Sequence, residues 1–295
     1  MHNVILSEEH GFKLRVRWLR AQMHATRTGV VPSFDVPGSF SLDIEAGAVG
    51  MSLADLTAAL NGDLLKDSPL KNVSLKPYGR QLKVNGTLHK GVPLPFEMIS
   101  DIGVSPDGRI RLHVTKLRVL KLPVKGLLGM FHLKAGDLVD PKGAKGVQVD
   151  GDDIYFDPEQ ILPEPRKRGK LTDVHLAEKT GDIVEIYGPA RPEVMKVKQW
   201  RNFIRLVGGT LEFGKLTMNY VDIVMIDISQ DEWFTFDLNR YQEQMVNGYT
   251  RMTPRAGLQI FMPDIEKIPR NKVNSDISVQ WMKNRNIPPP ADVMR

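Results

Sequence analysis

Between Ile110 and Val119 the apolar residues change phase. Ile110, Leu112 and Val114 occupy even positions, whereas Leu117 and Val119 occupy odd ones. Successive side chains of a strand point to opposite faces, so an unbroken strand would send one of these sets to solvent. One extra residue near Thr115–Lys116, a β-bulge, restores a single apolar face and gathers Arg109, Arg111, Lys116 and Arg118 on the other. A bulged strand also bends and twists more than a regular one. The spacing therefore predicts a strongly curved antiparallel sheet, apolar within and basic without. From Gly108 to Gly136 there are seven Lys or Arg and no Asp or Glu, which extends the basic character past the strand.

The same period of two runs through most of the chain. Leu14, Val16 and Trp18 alternate with Lys13, Arg15 and Arg17, a half-buried strand with a basic outer face. A strand is expected over 39–44, and a meander covers Val73 to Met98. Ser105-Pro106-Asp107-Gly108 has the residues of a hairpin turn. Val147 to Phe156 reads as a hairpin turning at Asp150–Asp153. Further strands cover 171–176, 183–187 and 258–262, and a long pair covers 203–213 and 216–226. A second phase change, from Met218 and Tyr220 to Val221, Ile223 and Met225, suggests a second bulge.

Three helices interrupt this pattern. Ser52 reads as an N-cap with Asp55 three residues on, before a stripe of Leu53, Leu56, Leu60 and Leu64. After Pro123 a helix is expected to bury Val124, Leu127, Leu128, Phe131 and Leu138. Asp237 caps a third, carrying Leu238, Tyr241 and Met245 and ended by Gly248. The proline and charge of Leu162–Lys170 mark a connection. It divides the chain into 1–165, a second β-rich lobe over 166–264 that can be continuous with the first, and a loose tail over 265–295. The fold class is α+β: a highly curved antiparallel sheet wrapped around amphipathic helices.

Composition excludes several chemistries. There is no cysteine, so disulfides and thiolate metal sites are out. The N-terminal residues are too polar for a signal peptide, and no apolar run approaches the ~18 residues of a membrane span. Gly209-Thr210-Leu211-Glu212-Phe213-Gly214-Lys215 has the glycine spacing and Gly-Lys of a phosphate-binding loop. Leu216 stands where the magnesium-binding Ser or Thr should be, and a strand follows, so this is read as a hairpin turn. Asp150, Asp152 and Asp153 lack the distal acid of a calcium loop. The seven histidines form no ligand pair at metal-binding spacing. Basic strands with aliphatic partners, and no RNA- or DNA-reading motif, argue against nucleic acid. Neither a cofactor nor a metal is expected.

The net charge of +5 favours anionic partners. The four basic residues on one strand face, Arg109, Arg111, Lys116 and Arg118, would contribute at most about 4 kcal/mol on an anionic membrane, roughly millimolar binding. That suffices for transient docking only.

The Ser52–Leu65 helix, the run from Val73 to Met98, the run from Ser105 to Leu128 and the closing Gly146–Pro163 together resemble the tubular lipid-binding (TULIP) superfamily, in particular its bacterial LmeA-like branch. The likeness covers about residues 38 to 165. It implies a curved sheet wrapped on a helix, lipid held between them, and work in the cell envelope outside the cytoplasm, although no export or anchor segment is visible. The expectation is a non-enzymatic protein binding a lipid or other hydrophobic small molecule, with Leu53, Leu56, Leu60, Leu127, Leu128 and Phe131 as groove candidates. The alternative is a structural or adaptor protein with a solid core whose basic sheet face meets an acidic protein or polymer.

Overall fold

The computed structural model describes residues 1–7, 13–66, 68–90, 92–120, 134–138, 146–162, 164–189, 200–230 and 233–268, the side chains of residues 63, 64 and 90 excepted. The chain opens with three strands, β1 (His2–Ser7), β2 (Lys13–Ala25) and β3 (Phe40–Met51). Helix α1 (Leu53–Ala59) follows, and the Ser52 hydroxyl accepts from the Asp55 amide at 2.9 Å, as the capping pattern predicts. A meander comes next: β4 (Leu70–Tyr78), β5 (Gln81–Lys90), β6 (Val92–Val104) and β7 (Ile110–Val119). A single turn, α2 (Ala135–Leu138), precedes the hairpin β8 (Val147–Asp150) and β9 (Asp153–Phe156), with the short α3 (Pro158–Ile161) after it. The remainder comprises β10 (Arg166–Gly169), β11 (Leu171–Leu176), β12 (Ile183–Tyr187), β13 (Phe203–Val207), β14 (Thr210–Phe213), β15 (Leu216–Asn219), β16 (Asp222–Asp227), β17 (Phe234–Asp237), α4 (Tyr241–Val246), β18 (Tyr249–Met252) and β19 (Leu258–Met262).

Two sheets carry the fold. The smaller is antiparallel throughout, in the order β4-β5-β6-β7-β9-β8. The larger has eleven strands along β11-β12-β3-β2-β1-β13-β16-β19-β18, with β10 parallel on β3 and β17 parallel on β1. It takes strands from both sides of the Leu162–Lys170 connection. That connection itself contributes β10, where Lys167 is buried and donates to the Pro165 carbonyl at 3.0 Å. One hydrophobic cluster runs through both sheets, joined where β11 packs on β6. At the start of the expected tail, Ile265 and Ile268 are buried.

The β-rich class is as expected, and neither sheet closes into a barrel. Among the described residues no α-helix exceeds the seven residues of α1, which lies against β4. Most of the described core comes from sheet side chains, joined by Phe34, Leu53, Leu138, Leu238 and Tyr241 from helices and connections. The helix expected after Pro123 falls, apart from Ala135–Leu138, outside the described residues.

The expected bulge in β7 is present. Ile99 pairs with Lys116 and Ser100 with Val114, so Thr115 is the extra residue, and its hydroxyl donates to the Ile99 carbonyl at 3.1 Å. The second phase change arises differently. Val207 pairs with Asp222 and Thr210 with Asn219, so no residue is inserted between them. Instead Gly208, Gly209 and Tyr220 all take positive φ, and the paired strands kink together, splitting one long hairpin into two. A left-handed residue flips the side-chain alternation without altering the register count.

In the smaller sheet Gly86 sits directly opposite Phe96, whose ring is 1% exposed and lies over the glycine. A Cβ at position 86 would stand 2.9 Å from the ring. Gly86→Ala is expected to displace the ring and cost about 1–3 kcal/mol, read as a lower urea midpoint at unchanged slope.

Candidate functional site

Aromatic residues from distant segments meet behind the larger sheet. The Phe34 ring contacts Phe213 at 5.4 Å and Tyr241 at 5.8 Å, and Phe213 and Tyr241 lie 4.7 Å apart. The Tyr241 hydroxyl accepts from the Gly214 amide at 2.9 Å and donates to Asp35 Oδ1 at 2.7 Å. Burial and the Asp35 carboxylate raise the phenol's pKa, so it stays a donor. This ties the Phe34–Phe40 segment to α4 and makes it a wall.

The opposite wall comes from β2 and β3, which carry two bulges in quick succession. Val16 pairs with Val49 but Trp18 with Ala48, making Arg17 extra on β2. Arg20 pairs with Ala46 but Ala21 with Ile44, making Glu45 extra on β3. Each bulge bends its strand. Between the bent strands, β1, β13 and the aromatic wall lies a cavity of about 690 Å³. Its buried lining is apolar, with Leu6, Phe34, Phe40, Leu42, Ile204 and Phe236 contributing.

Polar residues line its exposed side. Arg20 Nε lies 2.7 Å from Glu45 Oε2, and Gln22 Nε2 donates to Glu45 Oε1 at 2.7 Å. Arg205 Nη2 lies 3.5 Å from Asp222. His2 stacks on Phe203 at 5.9 Å and its Nδ1 lies 2.5 Å from the Arg201 carbonyl. The Met1 amino group donates to the Leu19 carbonyl at 2.8 Å, and burial pulls its pKa down to about 6.

Beyond Leu6, Leu19 and Leu42 a second, small hollow contains Glu185, Tyr187 and Lys167. The Tyr187 hydroxyl donates to Glu185 Oε2 at 2.7 Å. Burial pushes the Glu185 carboxyl up, against the opposing pull of Tyr187 and Lys167, and burial likewise keeps the Tyr187 phenol protonated.

Of the groove candidates, Leu53 is buried and Leu56 and Leu60 are half-buried against the shared core; none of the three lines the cavity. Leu127, Leu128 and Phe131 lie outside the described residues. The basic strand face is present, and three of its four cations are ion-paired. Arg109 pairs with Asp107 at 2.7 Å, Arg111 with Asp153 at 2.8 Å and Arg118 with Glu97 at 2.6 Å. Lys83 shares Glu97 at 2.6 Å, and its hydrogen bond, with Arg118 beside it, holds that carboxyl below its ordinary value. Lys116 has no ion pair among the described residues. His113 also reaches Asp153, at 2.8 Å, the same carboxylate that Arg111 occupies. Gly209–Lys215 is part of the β14–β15 hairpin, with Gly214 at φ 54° in its turn.

Sequence reasoning missed the cavity residues. Pro32-Ser33-Phe34-Asp35-Val36-Pro37 carries a signal of sorts, an aromatic held between prolines, but nothing in it names β1, β2 and β13 as neighbours. No protein-family model matches the chain, and neither a curated protein nor a solved structure does.

Glu185 generates a pH prediction. Its folded pKa lies above the unfolded one, so the native state binds the additional proton between the two values. Stability from this group is full below the unfolded pKa and falls as pH rises through that window. Glu185→Gln keeps an acceptor for Tyr187 and removes the titration. Its melting temperature should exceed the parent's at about pH 8, and the difference should shrink toward about pH 4.5.

Proposed function

We propose that this chain binds a lipid or another hydrophobic small molecule without transforming it, in the cavity between β1, β2, β3, β13 and the Phe34–Phe40 wall. One observation carries the reading: a cavity of about 690 Å³ whose buried walls are apolar. Ligand sites of this kind span roughly 300–1,000 Å³ and combine apolar walls with a few polar groups.

The likeness to tubular lipid-binding proteins extends the proposal to the bacterial cell envelope. The structural or adaptor alternative has less support, because three of the four cations on which it rests already face carboxylates on neighbouring strands or turns. Exposed pairs of this kind contribute little and leave little field for an acidic partner. The same pairing reduces any contact with an anionic membrane to a transient one.

Native mass spectrometry after gentle purification should show a stoichiometric bound small molecule, and a neutral apolar fluorophore should bind and be displaced by long-chain compounds. Ala21→Trp and Ala46→Phe, both on the cavity lining, should weaken fluorophore binding at least about tenfold, a loss of ~1.4 kcal/mol, while circular dichroism shows a folded sheet. A parent protein that carries no ligand and binds no apolar fluorophore would sink the proposal.

A further inference from the structure

The cavity's polar rim has already spent its charges. Arg20 and Glu45 face each other at 2.7 Å, and Gln22 takes the second Glu45 oxygen. Arg205 faces Asp222 at 3.5 Å. Two guanidinium groups are thus balanced by two carboxylates. The Met1 nitrogen is engaged with the Leu19 carbonyl.

Beside the remaining N–H groups of Arg20 and Arg205, the rim offers hydrogen-bond acceptance. A carbonyl oxygen can only accept, so the short contact from His2 to Arg201 requires Nδ1 to donate. In the neutral ring Nε2 then carries a lone pair. Glu45 places a second acceptor at the rim, and it does so because it is the extra residue of the β3 bulge. An ionised carboxylate or phosphate brought here would meet Glu45 as a like charge and would have to compete with it for Arg20. Losing water without gaining an unspent cation is costly for an ion and far less so for a hydroxyl.

We infer that the cavity selects a long-chain ligand whose polar end is uncharged and donates hydrogen bonds, such as a hydroxyl of an alcohol or glyceryl ester, over a chain-matched ligand with an ionised headgroup. The inference rests on the hydrophobic-ligand reading above and specifies the class of ligand.

The test uses the full chain at neutral pH, below the critical micelle concentration of each competitor. Monooleoylglycerol, oleate and lysophosphatidate displace the neutral fluorophore N-phenylnaphthylamine in parallel titrations. Monooleoylglycerol is expected to displace it at a concentration at least about tenfold lower than either anion, the scale of one unmet polar demand. Glu45→Gln, which releases Arg20, is expected to narrow the gap between oleate and monooleoylglycerol about fivefold, the scale of one exposed charge pair. Equal or tighter binding of oleate or lysophosphatidate overturns the inference while leaving the hydrophobic site standing. A gap that Glu45→Gln leaves untouched overturns the role given to the rim. Failure of the fluorophore itself to bind removes the underlying reading instead.

Discussion

A six-residue strand, β1, must satisfy backbone hydrogen bonds along both edges, and the next strand and two from far along the chain are recruited to do it. β2 takes one edge from His2 to Ser7. On the other, β13 meets His2 and β17 runs parallel from Val4 to Ser7. Buried amide groups must be paired, and Val4 and Leu6 are both buried. Because β13 leaves β1 after a single register pair, the two diverge, and their side chains together with β2 frame the mouth of the cavity. The strand that ties the sheet together therefore also sets where it stays open.

Curvature supplies the rest of that opening. A regular pair of long strands such as β2 and β3 would coil gently and pack against whatever lies behind it. Arg17 and Glu45, extra residues on opposite partners a few positions apart, bend the ribbon sharply over a short distance. The aromatic wall cannot follow that bend, since Phe34 is held by Phe213 and Tyr241 and by the Tyr241–Asp35 hydrogen bond. Two rigid surfaces of different curvature leave a hollow. The device that creates the space also places Glu45 on its rim, so geometry and selectivity share one residue.

Much of this was legible in the sequence where a feature is local. Alternation located the meander, the Ser52 cap located α1, and the conflict between even and odd apolar positions located the bulge at Thr115. Alternation failed to distinguish an inserted residue from a left-handed one, since both reverse the phase. Tyr220 and its glycine partners therefore read as a bulge and are a kink. The paired cations were illegible for another reason: Arg118 and Glu97 lie on neighbouring strands, so a tally along one strand sees only one sign. The cavity was the least legible. Its lining comes from β1, β2, β3, β13, β17 and the connections between strands, and β1 and β17 are too short to display a period. The apolar stripe of α1 was readable and packs as core, whereas the hollow belongs to residues that only the pairing pattern brings together.

The parallel pairing of β1 with β17 has a consequence in time. Val4 meets Phe234, so β1 must wait for a partner made long after it. Until then β1 can hold only β2, with its other edge open. The smaller sheet, by contrast, is formed by strands close in sequence and can assemble while synthesis continues. The smaller sheet can thus pair before β1 has its second edge filled. In that interval the exposed edge of β1 is the place where a cell would need to shield the nascent protein from pairing with another copy.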